Sequence, residues 1–237
     1  MLQSKKLSWD SNFFGINIAK IETDQSSATA ILEAIDQLKN EDIKLIYIFS
    51  QKALEIAEYN SDNLQFIDVG PKVLYHKKLQ KAPDYHTQIE SYKAAEASDK
   101  LYDLALQSGV YSRFKLDPKL PRNAYEKLYS IWIENSVNRS IADEVLVFME
   151  NGQIAGMVTL SKKGDWGDIG LIAVDETFRG KKIGHHLLNA AYKYFFDRGI
   201  TELGVETQLN NLGACRFYEA NEFLVHKVEY LYHCWIK

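Results

Sequence analysis

The sequence predicts an α/β (α+β) protein with a mixed central sheet flanked by helices and a smaller N-terminal lobe. Three observations lead to this prediction. Strand-like and helix-like hydrophobic patterns alternate along the chain, as they do in α/β folds. A charged segment containing Pro83, residues 77–84, separates two patterned parts, which we assign to residues 1–82 and 86–237. The second part closes in the order hairpin, strand, loop, helix, strand, helix, strand.

The first part is predicted to be a small α/β unit. Gly70-Pro71 is a turn signal between two strand-like runs. Apolar residues alternate with polar ones before it, as in a half-buried strand, and then recur at helical spacing. The predicted elements are strands at Gly15–Glu22, Leu45–Phe49, Leu64–Val69 and Lys72–Leu79, a helix at Ser27–Asn40 and a short helix at Ala53–Tyr59.

The second part contains clearer turn signals. Asn151-Gly152 between two apolar runs predicts a hairpin, because both residues tolerate positive φ. Gly199 stands where a left-handed residue would end a helix. The last strand, if it lies at an edge of the sheet, would allow a homodimer, since edge strands readily pair. The predicted strands are Thr87–Ser91, Glu144–Glu150, Gln153–Leu160, Asp168–Val174, Glu202–Thr207 and Glu222–Ile236, and the helices are Ala95–Ser108, Arg122–Asn138, Ile183–Arg198 and Asn211–Ala220.

Composition and charge exclude several classes of protein. The chain has 237 residues, with 28 Lys and Arg against 32 Asp and Glu, so its net charge is −4. This balance argues against broad nucleic-acid binding but allows a local phosphate site. The longest apolar runs are far below the roughly 18 residues of a membrane span, and no secretory signal is visible. Cys215 and Cys234 are too few for a disulfide framework, so we expect a cytoplasmic protein without a metal site.

The segment Gly170–Asn221 contains the motifs that indicate a chemical function. In it, an apolar strand leads into the loop RGKKIG, residues 179–184, and then into a helix. Consecutive N–H groups and the dipole at a helix N-terminus attract an anion, and the three cations of the loop add charge. A diphosphate fits such a site, with a plain basic turn as the alternative. The loop is neither a Walker loop nor a dinucleotide-binding loop.

A second motif follows, in which Asn211 begins the pattern N-x-x-A-x-x-x-Y. Ala214 and Tyr218 are four residues apart and therefore share a helix face. A small residue beside a phenol leaves room for a ligand atom. The chain has 14 tyrosines, so Tyr218 taken alone is more readily a core residue.

From about residue 86 to the end, these motifs resemble the GCN5-related N-acetyltransferase (GNAT) superfamily. Its pyrophosphate loop follows Gln/Arg-x-x-Gly-x-Gly/Ala, where Arg179 takes the first place and Gly184 the last. Lys182 replaces the usual middle glycine. The resemblance implies acetyl-CoA as cosubstrate and a strand that separates from its neighbour at Leu171–Val174. The implied cofactor-binding residues are Leu171, Ile172, Ala173, Val174, Arg179, Gly180, Lys181, Lys182, Ile183, Gly184, Asn211, Ala214 and Phe217.

Four further stretches resemble a narrower group, the dTDP-fucosamine (dTDP-4-amino-4,6-dideoxygalactose) acetyltransferases of bacterial polysaccharide assembly. They are Trp9–Gly15, Ser112–Pro118, Trp132–Ser136 and Ala142–Val145. That group pairs a truncated GNAT-like first part with a complete second part, so the resemblance covers nearly the whole chain. It implies transfer of acetyl from acetyl-CoA to the amine of a nucleotide-linked amino sugar.

The implied mechanism is direct attack of the neutral amine on the thioester. A backbone N–H near Ile172 or Ala173 would bind the oxyanion. Tyr218 is the predicted general acid for the leaving thiolate, because a phenol is protonated at working pH. The general base is not identified. Glu206 is one candidate, with a solvated strand-end carboxylate as the alternative.

Other titratable residues have simpler interpretations. Cys215 has no histidine partner visible in the sequence and is predicted to be buried and inert. His185 and His186 are expected to contact phosphate or solvent.

For the acceptor, Arg113 and Asn135 are the predicted binding residues, with a surface salt bridge as the alternative for Arg113. The cations Arg122, Lys115 and Lys119 are weaker candidates, since charge runs usually solvate a surface. Asn138 is expected to bind a sugar hydroxyl or to end a helix. Trp9, Phe13 and Phe14 are expected in the core of the first part rather than in a base-stacking platform.

Two rival functions stay open. In the first, the fold is the same but the acceptor is a peptide, a polyamine or another small amine. In the second, the chain is a CoA-binding sensor without transferase activity. Spare acidic residues in the acceptor cleft would favour a cationic acceptor, and a basic cleft would favour a nucleotide sugar.

Overall fold

A computed structural model describes residues 2–24, 28–81, 83 and 86–237. Some residues of the predicted segments lie outside the described residues: Met1 of the predicted N-terminal part, Ser27 of a predicted helix, and Ala82 and Asp84 of the predicted connection. The described strands are β1 (Gln3–Lys6), β2 (Ile18–Thr23), β3 (Leu45–Ser50), β4 (Leu64–Asp68), β5 (Lys72–Lys78), β6 (Ile89–Ser91), β7 (Glu144–Glu150), β8 (Gln153–Lys163), β9 (Trp166–Val174), β10 (Glu202–Gln208) and β11 (Leu224–Ile236). The helices are α1 (Ser8–Phe14), α2 (Ala28–Lys39), α3 (Asp99–Ser108), α4 (Arg113–Leu116), α5 (Ala124–Val137), α6 (Ile183–Phe196) and α7 (Leu212–Ala220), with 3₁₀ turns at Ile56–Tyr59 and Glu176–Phe178.

The predicted α/β class is confirmed, and the local turn signals are correct. Asn151 and Gly152 have φ of 52° and 77°, as the hairpin prediction required, and Gly199 has φ of 73°. The predicted helix at Ala53–Tyr59 is only the 3₁₀ turn. The sequence patterns missed β1, α1 and α4, because these elements are too short to show a hydrophobic period.

All the described strands belong to one mixed sheet. Its order is β1-β2-β3-β11-β5-β10-β9-β8-β7-β6, and β4 pairs with β11. Only β2–β3 and β9–β10 are parallel pairs among these strands. Over the second part of the sheet, α6 and α7 cover one face, and α3 and α5 cover the other.

The two predicted parts exchange strands within this sheet. Although β5 precedes the predicted connection, it pairs with β10 along its whole length and with β11 on its other side. Val73 and Tyr75 of β5 are 0% and 1% exposed in the core beneath α6. In return, Tyr232 and Cys234 of β11 lie in the core of the first part. Each part therefore completes its core with a strand from the other.

The final strand is not the free edge that the sequence suggested. Its segment Tyr230–Trp235 pairs with β3, while β4 pairs with Tyr232–Ile236 on the opposite side. A strand with both sides paired has no hydrogen-bonding groups left for a second copy. Only Leu224–Glu229, which among the described strands pairs with β5 alone, stays available for the predicted homodimer.

Helices α4 and α5 of the second part also pack on the first part. Phe114 and Leu128 share a buried cluster with Ile18, Leu45 and Tyr47 of β2 and β3. None of the described helices is both long enough and apolar enough to cross a membrane.

The strand exchange predicts that residues 86–237 do not fold alone. Without β5, β10 loses seven paired residues and β11 loses five, and the core loses Val73 and Tyr75. We expect this fragment to melt without a cooperative transition by circular dichroism, and coexpression with residues 1–81 to restore one. A fragment that melts like the whole chain would contradict the structural interdependence of the two parts.

Candidate active site

The site is centred on a gap between β9 and β10. These strands pair only over Gly167–Ile169 and Leu203–Val205, and they separate beyond these residues. Leu171–Val174, the segment that the resemblance singled out, therefore borders the gap on one side. On the other side lies the end of β10, including Glu206.

A bulge in β9 begins this separation. The register with β8 shifts between Val158 and Leu160, so β9 carries one extra residue there. The Leu171 N–H donates to Thr159 Oγ1 over 2.8 Å. A Cβ at Gly170 would lie 2.8 Å from the same oxygen, so a glycine is needed for this contact.

One cavity, which we call the α6 cavity, has a volume of about 900 Å³ and lies at the N-terminus of α6. Most of the predicted cofactor residues line it. Lys181 and Leu171 do not: Lys181 forms an ion pair of 3.0 Å with Glu150, and Leu171 lines the second cavity described below. The predicted residues that line the α6 cavity are Ile172, Ala173, Val174, Arg179, Gly180, Lys182, Ile183, Gly184, Asn211, Ala214 and Phe217.

The loop before α6 presents its backbone to this cavity. Lys182 is the N-cap residue in a left-handed conformation, φ 60°, and makes no side-chain cap. The first N–H groups of α6 therefore have no side-chain acceptor at the N-cap and can receive an anion. Arg179 is oriented by bonds to the Val174 carbonyl and to Gln107, of 3.3 and 3.2 Å.

Helix α7 forms the opposite wall of the α6 cavity. Asn211 caps this helix, because its Oδ1 accepts the Ala214 N–H over 3.1 Å. A Cβ at Gly184 would lie 3.1 Å from the Phe217 ring, so this glycine permits close approach of α6 and α7. Cys215 is buried, with its sulfur near the carbonyls of Gln208 and Leu209.

Tyr218 is the residue of α7 that reaches the gap. Its side chain is buried, with the residue 4% exposed, and packs 5.7 Å from the Tyr75 ring. Its hydroxyl has no hydrogen-bond partner among the described residues, although the residue lines both cavities. Burial raises the pKa of the Tyr218 phenol well above its ordinary value, with the nearby Cys215 thiol adding to the shift. The phenol is therefore held in its protonated form.

A second cavity, which we call the α4 cavity, has a volume of about 510 Å³ and lies across the gap. It contains both predicted acceptor residues, Arg113 and Asn135. The two cavities meet at five residues that line both of them: Ser108, Ile172, Asn211, Ala214 and Tyr218.

The first part of the chain supplies one wall of the α4 cavity, namely Trp9, Asp10, Phe49 and Lys72. We did not single out Asp10 or Lys72 from the sequence, although Asp10 lies in one of the stretches that carry the resemblance. The expectation that Trp9 is a core residue is wrong, because it is 50% exposed and stacks on Phe13. Phe13 and its neighbour Phe14 pack against the core as expected.

The charges of the α4 cavity are balanced. Lys72 bonds to Glu206 at 3.1 Å and to Glu229 at 3.2 Å, so Glu206 is an ion-paired carboxylate. Burial raises the pKa of Asp10, and the nearby Arg113 opposes this shift. Two acidic and two basic side chains line the cavity: Asp10, Glu206, Lys72 and Arg113.

The weaker candidates lie outside both cavities, except His185. The ammonium groups of Lys115 and Lys119 lie over the rings of Tyr125 and Trp235. His185 lines the α6 cavity and bonds to Asn221 over 2.7 Å. The remaining three are Arg122, which is exposed, Asn138, which accepts the Ser140 N–H near the end of α5, and His186, which packs against His86.

The left-handed conformation of Lys182 predicts an unusual stability effect. A non-glycine residue in this region costs about 1 kcal/mol, whereas glycine adopts it freely. We expect Lys182→Gly to have a higher free energy of unfolding than Lys182→Ala, by about 1 kcal/mol in urea denaturation. Both variants remove the charge, so the difference between their free energies of unfolding reports on the backbone conformation. At Lys193 in α6 the order should reverse, since glycine weakens a helix interior. Equal stability of the two Lys182 variants would contradict the strain.

Comparison with known proteins identifies the family. Residues 99–223, more than half of the chain, match the model of the acetyltransferase (GNAT) family. The chain is 26% identical over 217 residues to dTDP-fucosamine acetyltransferase of Escherichia coli, covering 90% of this chain and 89% of that protein. It is 30% identical over 138 residues to the spore coat polysaccharide biosynthesis protein SpsD of Bacillus subtilis. That match covers 58% of this chain and 47% of SpsD, so the chain matches about half of that relative.

Solved structures share the fold. A protein of unknown function from Staphylococcus epidermidis superposes with a TM-score of 0.64 at 16% identity, covering 99% of this chain and 91% of that one. A GCN5-related N-acetyltransferase from Sphaerobacter thermophilus gives 0.59 at 14% identity, covering 98% and 76%. The family match shows that the chain belongs to the GNAT acetyltransferase family, and the solved structures show that it shares their fold.

Proposed function

We propose that the chain transfers acetyl from acetyl-CoA to the amine of a nucleotide-linked amino sugar, with dTDP-4-amino-4,6-dideoxyhexose as the first candidate. The observation that carries this proposal is the meeting of two cavities at Ile172 and Tyr218, one suited to the donor and the other to the acceptor. Similarity to the dTDP-fucosamine acetyltransferase of Escherichia coli supports the acceptor class, because it extends over both parts of the chain.

On the donor side, the N-terminus of α6 would bind the diphosphate of acetyl-CoA. Its free N–H groups do this together with Arg179 and Lys182, while Lys181, paired with Glu150, adds charge only at longer range. Val174, Ala214 and Phe217 offer the apolar walls for the pantetheine arm.

Strand alternation favours Ile172 over Ala173 as the oxyanion donor. The N–H groups of Leu171 and Asp175 both donate toward β8, to Thr159 and to the Ala155 carbonyl. Successive N–H groups of a strand point to opposite sides, so those of Ile172 and Val174 point into the gap. A fixed donor at this position would stabilise the tetrahedral oxyanion.

Tyr218 would act as the general acid. The amine nitrogen forms a bond to the acetyl carbon, and the C–S bond breaks as the Tyr218 phenol gives its proton to the sulfur. Solvent then restores the phenol, and the proton of the amine leaves to water. The Glu206 carboxylate contacts the Lys72 ammonium at 3.1 Å, so we do not assign it as the base.

On the acceptor side, Arg113 and Asn135 would bind the nucleotide sugar. Among the described residues, carboxylates in the α4 cavity do not outnumber cations, whereas a polyamine or another polycation would need such an excess. The two cysteines are free and buried, as suits the reducing cytoplasm that we propose as the location.

The function is tested by measuring the release of free CoA thiol from acetyl-CoA with a panel of amines. We expect turnover with dTDP-4-amino-4,6-dideoxyhexoses and little with spermidine or a lysine peptide. Turnover with the polyamine or peptide in place of the sugars would support the rival acceptors. Tight CoA binding without any turnover would support a sensor.

Tyr218→Phe should lower kcat by about 100-fold or more, the usual contribution of general acid catalysis, while the Kd of acetyl-CoA stays nearly unchanged. Because the pKa of Tyr218 is raised, its proton stays in place as pH rises. The wild-type kcat/KM should therefore rise with pH as the amine deprotonates, without a fall below about pH 10.

Tyr194→Phe, on α6 and away from both cavities, is the matched control and should leave kcat unchanged. Unchanged turnover in Tyr218→Phe would contradict the assignment of Tyr218 as the general acid. An alkaline decrease near pH 9 that Tyr218→Phe abolishes would instead contradict the raised pKa of its phenol.

A further inference from the structure

A chain of buried polar side chains lies behind the α4 cavity. Arg113 Nη1 lies 3.1 Å from His233 Nε2, and His233 Nδ1 lies 2.6 Å from Asp117 Oδ2. His233 is fully buried and Asp117 is 3% exposed, whereas Arg113 lines the cavity. The chain thus connects a buried carboxylate to a cation on the cavity wall.

The partners determine which histidine nitrogen carries the proton. A guanidinium only donates, so Nε2 must accept from Arg113 and Nδ1–H must donate to Asp117. Asp117 also accepts the Trp235 indole N–H on Oδ2 and the Lys119 N–H on Oδ1, over 2.9 and 2.8 Å. Burial lowers the pKa of His233 to about 4, and Arg113 adds to this effect against Asp117, so the ring is neutral near pH 7.

Two aromatic rings fix the plane of the guanidinium. Arg113 Cζ lies 4.0 Å from the centroid of the Tyr47 ring and 4.2 Å from that of Phe114. Stacking restrains the side chain in one plane, and the bond to His233 restrains its rotation within that plane. The hydrogen bond to His233 uses one of the five N–H groups, which leaves donors for a ligand in the cavity.

We infer that His233 and Asp117 are positioning residues that hold Arg113 in place to bind the phosphate groups of the acceptor. This inference rests on the proposed function and adds that acceptor binding depends on the buried pair of His233 and Asp117. His233 belongs to β11, the strand that enters the first part of the sheet, so acceptor binding depends on the strand exchange. The buried pair acts through Arg113 and does not contact the acceptor.

Asp117→Asn is the sharpest test, because it removes the negative charge and one acceptor of the buried pair without changing its shape. Oδ2 accepts from both His233 Nδ1 and Trp235 Nε1, and Oδ1 accepts from the Lys119 N–H, so either orientation of the amide sets its NH2 group against at least one of these donors. The neutral amide therefore holds the His233 ring, and through it Arg113, less firmly than the carboxylate does. We expect the KM for the nucleotide sugar to rise about tenfold or more, with kcat and the KM for acetyl-CoA unchanged.

Further variants separate positioning from folding. His233→Gln retains an acceptor and a donor and should recover most of the acceptor affinity, whereas His233→Leu should not. Arg113→Gln should give the same selective rise in KM without altering the buried pair. Asp165→Asn and His226→Gln, both exposed, are the matched controls. If Asp117→Asn does not fold, a wild-type KM in Arg113→Gln overturns the inference.

The acceptor itself supplies a second control. With the methyl glycoside of the same amino sugar, which lacks phosphates, Asp117→Asn and the wild type should have equal KM. A wild-type KM for the nucleotide sugar in Asp117→Asn, or an equal loss with both acceptors, would overturn the inference and leave the proposed function standing.

If the wild type acetylates no nucleotide sugar, the proposed function fails. The positioning role of His233 and Asp117 is then tested by measuring dTDP binding by calorimetry. Weaker dTDP binding in Asp117→Asn than in the wild type would then support the positioning role. Equal binding, or no binding by either, would overturn it.

Discussion

The exchange of strands between the two parts of the chain is the constraint on which the rest of the structure depends. β5 fills the position between β10 and β11, and β11 continues between β3 and β4. An unpaired strand in a buried sheet would leave its N–H and C=O groups without partners, at a cost of several kcal/mol. Both strands also carry fully buried side chains into the other part's core, so backbone pairing and apolar burial act together.

The active site depends on a gap in the sheet, where strands β9 and β10 stop pairing. β9 and β10 separate after three paired residues, and the bulge at Gly170 directs β9 away. N–H groups released from a sheet need another partner, and a ligand can provide one. The gap also joins the two cavities, so the donor and the acceptor can reach the same buried phenol, Tyr218, from opposite sides.

Charge is distributed locally rather than over the whole surface. The chain has a net charge of −4, yet its α6 cavity is lined by Arg179, Lys182 and the N-terminus of a helix. Several other lysines are paired with carboxylates, as Lys181 is with Glu150 and Lys72 with Glu206. A mildly acidic protein can therefore bind an anionic cosubstrate, because backbone donors converge there with two cations that form no ion pair among the described residues.

The sequence by itself determined what depends on neighbours along the chain. The Asn151-Gly152 hairpin, the RGKKIG loop before α6 and the spacing from Asn211 to Tyr218 follow local rules of turns and helices, and the structure has these elements in place. Only the tertiary structure decided that β5 and β11 change partners and that Asp10 and Lys72 join Arg113 in the α4 cavity. Contacts such as Arg113 with His233 join residues 120 apart in the chain, and no local pattern of residues encodes such a pairing. They form because the whole sheet must satisfy its hydrogen bonds and bury its apolar faces at once.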